Sequence, residues 1–339
     1  MSVPIQAEAA FAASAADVRK AAERLQGRAV VTPLLDYPLV SERLGFRLLI
    51  KAETLQLTGS FKFRGACNRL LAAKAADPGL RAVVAFSSGN HAQGVAAAAK
   101  LLGLKATIVM PSDAPAIKVA NTKGYGAEVV PYERRSEDRE AIARAIATKE
   151  GGLIVPPYDD PFVIAGQGTV GLEICSQALA LNARPDVVMA PCSGGGLVAG
   201  VALAVKDQFA DAAIYAAEPA GFDDLNLSLA AGERLPNQGK TPSICDALMA
   251  ERPGALTFPI HRKLLAGSCV VSDDAVLDAM NFALRHLKLV VEPGGAAALA
   301  GALAMRRELA GKTVAIVCSG GNADPEMIER AADRDDPLV

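Results

Sequence analysis

Ala82-Val83-Val84-Ala85-Phe86-Ser87-Ser88-Gly89-Asn90-His91-Ala92-Gln93-Gly94 is the stretch that decides the fold. An unbroken apolar run ends at a polar, glycine-containing turn, and an alanine-rich helical stretch over 91–102 follows. A short continuous apolar run is the pattern of a strand buried on both faces, and a strand that feeds straight into a helix belongs to a parallel sheet. The beat recurs. Segments 106–110, 128–130, 153–155, 187–190, 213–217, 289–291 and 313–318 read as further buried strands. Segments 61–74, 136–149, 162–179, 197–208, 274–286 and 295–309 read as the helices between them. This alternation predicts an α/β fold with mainly parallel sheets. Two stretches break it. Residues 225–265 are rich in Pro, Gly and polar groups, and the N-terminal part carries a helix over 14–25, opened by Ser14 and Asp17 at capping-box spacing.

Composition removes several function classes. The chain has 339 residues, 51% hydrophobic and 21% charged, which suits a large buried core and not a disordered segment. A formal net charge of -2 gives no electrostatic reason to expect nucleic acid or an anionic membrane as partner. Aromatic residues are 4% with no Trp, which argues against a base-stacking surface. The cysteines Cys67, Cys175, Cys192, Cys245, Cys269 and Cys318 are scattered without a C-x-x-C pair, and residues 1–10 lack the basic start of a secretory signal. A reducing, cytoplasmic location is the expectation. Residues 187–205 are free of charge over nearly a membrane-spanning length, but Pro191, Ser193 and Gly194-Gly195-Gly196 make a strand, loop and helix the better account.

Five constellations could carry chemistry. Lys62 lies between Phe61 and Phe63, just after Ser60 and at a helix start. Apolar neighbours and the positive helix end both disfavour the ammonium form, and a partly neutral amine is what Schiff-base chemistry requires. The same segment also reads as a lysine that snorkels to water. Ser87-Ser88-Gly89-Asn90-His91 sits between a strand's C-terminal end and a helix N-terminus, where main-chain N–H groups can hold a carboxylate. Ser193-Gly194-Gly195-Gly196-Leu197 has the same placement, and its glycines let amides close around a phosphate. Gly194, Gly196 and Gly200, with Glu218 ending the next strand, also form a near miss of a dinucleotide fingerprint, so an NAD-dependent oxidoreductase stays open. A mononucleotide P-loop fails, because Arg234 and Arg306 stand where Gly239-Lys240-Thr241 and Gly311-Lys312-Thr313 would need an upstream glycine. Ser319, in Cys318-Ser319-Gly320-Gly321-Asn322, offers a neutral hydroxyl after the last strand. Glu218, Asp223 and Asp224 crowd one turn, an oxygen set that suits Mg²⁺ or Ca²⁺ and equally a solvated acidic turn.

Taken in order, Ser60-Phe61-Lys62-Phe63-Arg64-Gly65-Ala66, Ser87-Ser88-Gly89-Asn90-His91, Ser193-Gly194-Gly195-Gly196-Leu197, Glu292-Pro293-Gly294-Gly295-Ala296 and Ser319-Gly320-Gly321-Asn322 resemble the fold-type II pyridoxal-phosphate enzymes, of tryptophan synthase beta-like architecture. Within them the chain is similar to the threonine/serine dehydratase (ammonia-lyase) and serine racemase group, and the resemblance covers residues from about 17 to 329. It implies that Lys62 carries the cofactor, that Phe61 packs on its ring, and that Asn90 bonds its 3-oxygen. It also implies that Ser193, Gly194, Gly195, Gly196 and Leu197 cradle its phosphate and that Ser319 faces its ring nitrogen. Ser87, Ser88, Gly89 and His91 then receive the substrate carboxylate. Ser88 matches the racemase's second acid/base, and Glu218, the carbonyl of Phe222 and Asp224 match a divalent-cation site for Mg²⁺ or Mn²⁺.

The resemblance implies two interleaved domains: a large cofactor-binding one from 1–52 and 151–339, and a small mobile one over 53–150. It implies a homodimer or higher homo-oligomer that loses the β-hydroxyl and amino groups of L-threonine or L-serine as a 2-oxo acid and ammonia. Departures from the family pattern are Ser193 in place of a glycine and the bulky Phe63. Arg139 or Arg252 could meet a second carboxylate and turn the preference to 3-hydroxyaspartate. Serine racemisation by Lys62 and Ser88 on opposite faces is the other alternative. Because the chain stops where it does, feedback control through an appended regulatory domain is not expected.

Overall fold

The computed structural model describes residues 11–87, 89–114, 116–133, 135–237 and 243–338, so Ser88 lies outside the described residues. The chain opens with α1 (Ala15–Leu25), capped as its sequence requires: the Ser14 hydroxyl accepts from the Asp17 N–H at 3.3 Å and the Asp17 carboxylate from the Ser14 N–H at 3.0 Å. Then come β1 (Leu34–Asp36), α2 (Pro38–Leu44), β2 (Arg47–Ala52) and α3 (Lys62–Ala76). A run of strand–helix units follows: β3 (Ala82–Phe86), α4 (Asn90–Leu101), β4 (Lys105–Pro111), α5 (Ala116–Gly124), β5 (Glu128–Tyr132), α6 (Arg139–Glu150) and β6 (Leu153–Ile154). The remainder comprises α7 (Pro161–Ala180), β7 (Val187–Pro191), α8 (Gly196–Gln208), β8 (Ala213–Pro219), α9 (Asp224–Ala231), α10 (Thr257–Leu264), β9 (Gly267–Val271), α11 (Asp273–Phe282), α12 (Pro293–Ala304), β10 (Thr313–Cys318) and α13 (Pro325–Ala332).

Two sheets result, and both are mainly parallel. One has the order β1-β2-β10-β7-β8-β9, with only β1 antiparallel to its neighbour; the other, β5-β4-β3-β6, is parallel throughout. Side chains alternate between two buried faces. Leu48, Ile50, Val187, Met189, Val314 and Ile316 join one core, while Leu49, Val188, Ala190, Ala315 and Val317 join the core on the opposite face. That double burial is why these strands read as unbroken apolar runs. Among the described residues no helix is long and apolar enough to cross a membrane.

The structure departs from the sequence reading in several places: β1, α2, α5 and α13 are elements that reading does not contain, and four further differences have a clear physical reason. Residues 289–291 form no strand: Lys288 takes a left-handed turn (φ 57°) and the chain runs extended into α12 without a ladder. β2 escaped notice because Lys51 interrupts its apolar run, yet Lys51 is fully buried, its amine held by Glu173 and the Thr32 carbonyl, each at 2.5 Å. β9 starts Gly-Ser-Cys and lies at a sheet edge, so it lacks the signature of a central strand. The stretch 225–265 is more helical than it reads, holding most of α9 and all of α10.

A buried ionic cluster welds α3 to the larger sheet. Arg64, 1% exposed, gives two bonds of 2.8 Å to Glu53 and bonds of 2.6 and 2.8 Å to Glu173, which also pairs with Lys51. Burial alone would raise the Glu53 carboxyl, but Arg64, helped by Lys51 and the Thr32 hydroxyl, holds it below its ordinary value. Two cations face two anions, so the cluster is neutral as a set and costly to break singly. Arg64→Ala would leave two carboxylates, Glu53 and Glu173, facing the single charge of Lys51. We expect it to lower the unfolding free energy by about 3–5 kcal/mol in urea titrations, and a loss below about 1 kcal/mol would show the cluster to be dispensable.

Candidate active site

Four loops leave the C-terminal ends of strands or the helix starts beside them and line one cavity of about 550 Å³. The cavity wall includes Phe61, Lys62, Ser87, Gly89, Asn90, His91, Arg139, Ser193, Gly194, Gly195, Gly196, Leu197 and Ser319. The structure thus gathers all the expected cofactor and substrate residues that it describes. The expected metal set, Glu218, Phe222 and Asp224, stands apart from this cavity, at the end of β8 and the start of α9.

Lys62 is the first residue of α3. The turn before it is held to the last strand's loop: Phe61 N–H donates to the Ser319 carbonyl at 3.1 Å, and Ser60 bridges to Gly320. The Lys62 amine donates to the Pro157 carbonyl at 2.8 Å and lies 5.2 Å from the Phe61 ring centre. Burial lowers its pKa to about 8, against an opposing pull from Glu292. α4 passes so close that a Cβ on Gly94 would sit 3.0 Å from the Lys62 carbonyl carbon. Glycine there lets the helix that bears Asn90 approach the lysine.

Asn90 starts α4 and is oriented on both sides. Its Oδ1 accepts from Asn322 Nδ2 at 2.7 Å, and its Nδ2 donates to Glu292. One Nδ2 hydrogen remains for a ligand. Burial pushes Glu292 up to about 7, with Asp246 adding to the rise. The His91 ring is buried, and its Nε2 sits 2.9 Å from the Val155 carbonyl oxygen. A carbonyl can only accept, so Nε2 carries the proton and Nδ1 is a bare acceptor. Burial and the nearby Lys62 drop its pKa to about 3, so the ring is neutral. The His91 side chain therefore has no donor left for a carboxylate; its contribution to such a site is the helix N-terminus it occupies.

The glycine loop runs from β7 into α8. Among the described residues, no protein acceptor meets the N–H groups of Gly194, Gly195, Gly196 or Leu197, while both oxygens of the Gly194 and Gly195 peptides are taken. Gly195 has φ +93°, a conformation that favours glycine. A row of free amides at a helix N-terminus, on a cavity wall, fits a phosphate. Glu218 is not placed to bind a ribose: it is buried, and its oxygens accept from the N–H groups of Leu225 (2.8 Å) and Asn226 (2.9 Å) and from Ser268 (2.6 Å). The dinucleotide reading of Gly194, Gly196 and Gly200 loses its acidic partner with it.

Several pocket residues were not singled out from sequence. Glu292 opens one of the motifs that carry the family resemblance, but nothing local gives it a role, and Tyr158, Lys118 and Asp246 carry no local signal. Lys118 and Asp246 pair across the cavity wall. Arg252 lines the cavity and forms a solvent-exposed pair with Glu251 at 3.1 Å. Arg139, at the first position of α6, lies 5.4 Å from the Phe86 ring centre, and no ion pair engages it among the described residues. Asp224 is buried with both carboxylate oxygens unpartnered, although no cluster of three or more His, Cys, Asp or Glu side chains is arranged for a metal among the described residues.

Comparison with known proteins agrees with this geometry. The L-threo-3-hydroxyaspartate ammonia-lyase of Saccharomyces cerevisiae is 42% identical over 310 residues, covering 91% of this chain and 93% of that protein. The L-threonine ammonia-lyase of Thermotoga maritima is 39% identical over 316 residues, covering 93% and 77%. The solved structure of maize serine racemase superposes with a TM-score of 0.87 at 38% identity, covering 95% of this chain and 97% of that one. Residues 25–320 match the family model described as pyridoxal-phosphate dependent enzyme, and with the lysine, the amide cradle and the parallel sheets in place, the chain belongs to that family.

Proposed function

We propose that this protein is an ammonia-lyase for small 3-hydroxy amino acids, converting them to a 2-oxo acid and ammonia, with 3-hydroxyaspartate as its preferred substrate. The observation that carries the ammonia-lyase reading is Lys62: a half-buried amine with a lowered pKa, facing a cradle of free amides across one cavity. Pyridoxal phosphate, when bound, supplies a carbonyl that condenses with amines and a conjugated ring that delocalises the electrons left at Cα. Lys62 would hold the cofactor, and Gly194 to Leu197 its phosphate. Asn90 would use its remaining Nδ2 hydrogen on the ring oxygen. Ser319, a neutral hydroxyl on the wall, would face the ring nitrogen and leave it largely unprotonated.

The chain's own groups then account for the proton movements. The Lys62 amine, neutral near pH 8 and above, can take the α-proton of a bound amino acid. N–H groups at the start of α4, beside Ser87 and Gly89, hold the substrate carboxylate, as the His91 ring cannot. The β-hydroxyl departs as water, and the released enamine hydrolyses to the 2-oxo acid and ammonia. Atoms balance: 3-hydroxyaspartate yields one four-carbon 2-oxo diacid and one ammonia. Arg139 would meet the second carboxylate, which favours this substrate over serine and threonine. The yeast relative's activity points the same way.

Closure of the 53–150 unit over the cavity is part of this proposal. Arg64 ties the start of α3 to Glu173, so we place the moving portion after α3, in β3–β5 with α4, α5 and α6. A divalent cation at Glu218, the Phe222 carbonyl and Asp224 also belongs here. The orphaned, buried Asp224 oxygens fit a cation, and burial together with Glu218 raises Asp224 to about 8 without one.

Four outcomes test the proposal. In apoprotein, acylation of Lys62 followed by mass spectrometry should rise with pH around a midpoint near 8, where an ordinary lysine titrates near ~10.4; a midpoint at the ordinary value would remove the neutral amine from the mechanism. Among L-serine, L-threonine and L-threo-3-hydroxyaspartate, 2-oxo acid release should be fastest from the last. Arg139→Ala should raise its KM by roughly tenfold or more, since charge-assisted bonds contribute about 1.5–3 kcal/mol, and leave the serine KM nearly unchanged. Equal effects on both substrates would refute the second-carboxylate site. MgCl₂ should raise the melting temperature of the wild type and not of Asp224→Ala; an identical rise in both would place the cation elsewhere.

A further inference from the structure

α10 lies behind the glycine loop, away from the cavity. His261 on α10 is fully buried, and its Nε2 is 3.0 Å from the Gly195 carbonyl oxygen. The carbonyl can only accept, so Nε2 bears the hydrogen. Thr257, one turn earlier, donates its hydroxyl to the Gly194 carbonyl at 2.7 Å, and the Gly254 N–H reaches the same oxygen at 3.1 Å. In a trans peptide the N–H points away from the C=O of its own plane. The Gly194 carbonyl shares a plane with the Gly195 N–H, and the Gly195 carbonyl with the Gly196 N–H. Holding the Gly194 carbonyl against α10, and the Gly195 carbonyl between His261 and the Ala199 N–H of α8 (3.0 Å), therefore turns both N–H groups to the other side, which is the cavity.

The ring and the glycine are fitted to one another. A Cβ on Gly195 would lie 2.0 Å from His261 Cε1. His261 Nδ1 is buried and without a partner among the described residues. An unsatisfied buried acceptor is destabilising, and a leucine of similar size would avoid it. What histidine supplies and leucine cannot is the Nε2–H bond. Burial also lowers the ring's pKa to about 4, so it acts through geometry and not through charge.

We infer that His261 is a positioning residue for the cofactor phosphate: its Nε2–H orients the Gly195–Gly196 peptide so that the Gly196 N–H faces the cavity, with Thr257 orienting the peptide before it. The inference rests on reading the 193–197 loop as the phosphate cradle.

The test is a titration of the full-length, cofactor-stripped chain with pyridoxal phosphate and, separately, with pyridoxal, which lacks the phosphate. His261→Leu should weaken pyridoxal phosphate binding by roughly three- to tenfold, the range of one hydrogen bond, and leave pyridoxal binding unchanged. The ³¹P resonance of the bound cofactor should shift with it. His261→Gln, whose side-chain amide can donate to the same carbonyl, should recover both affinity and resonance. Equal weakening for both ligands would make His261 a general packing residue and overturn the inference, as would wild-type affinity for both in His261→Leu. Should His261→Leu fail to fold, Thr257→Val is read by the same criteria. A wild-type chain that binds both ligands equally well would defeat the phosphate-cradle reading itself, which keeps the two failures apart.

Discussion

The guanidinium of Arg64 is the constraint on which the rest of the site depends. It lies two residues beyond Lys62, in the first turn of α3, and reaches Glu53 after β2, Thr169 and Glu173 on α7, and the Val30 carbonyl. Those contacts fix the lysine's helix against the larger sheet and against α7. α7 in turn packs on α8 at backbone distance: a Cβ on Gly200 would sit 2.4 Å from the Ile164 carbonyl oxygen, and one on Gly168 2.8 Å from the Gly200 carbonyl oxygen. Because α8 begins at the row of free amides, the lysine and the glycine loop are positioned through one rigid path. An ionic cluster is a weak source of net stability, yet it is a stringent one of geometry, since each member is costly to leave unpaired.

Polarity within the cavity is arranged on that frame. Lys62 is partly desolvated and rests on a main-chain oxygen, so its ammonium form is disfavoured, and the opposing pull of Glu292 only partly restores it. Asn322, Asn90 and Glu292 form a chain of side-chain bonds across the floor, which leaves the Asn90 amide a single free hydrogen. The two buried histidines are both neutral and both spend their Nε2 hydrogen on a carbonyl, His91 on Val155 and His261 on Gly195. Each braces a loop of the site, so histidine here serves as a hydrogen-bonding strut.

Much of this was legible in the residue order. Buried strands announced themselves because both faces of each sheet are covered, and the loop chemistry was visible because Ser, Gly and Asn cluster where strands end. The failures are equally physical. Lys51 hid β2 because a charge inside a strand is tolerable only with partners, and those, Glu173 and Gln177, lie more than a hundred residues away. The apolar run at 289–291 mimics a strand but has no neighbour to pair with. Arg252 and Arg139 were equivalent candidates in the sequence; both line the cavity, Arg252 in an exposed pair with Glu251.

The sequence by itself determined the strand–loop–helix rhythm and the order of the Ser- and Gly-rich turns, and it singled out Lys62 as a candidate, because all of these are written in runs of adjacent residues. Only the tertiary structure decided which donors remain free: the His91 tautomer, the direction of the loop amides and the pKa of Lys62. These depend on encounters such as Lys62 with Pro157, 95 residues apart, and Asn90 with Glu292, 202 residues apart. A hydrogen bond or a desolvated charge is a property of two surfaces brought together, and local order cannot specify the second surface.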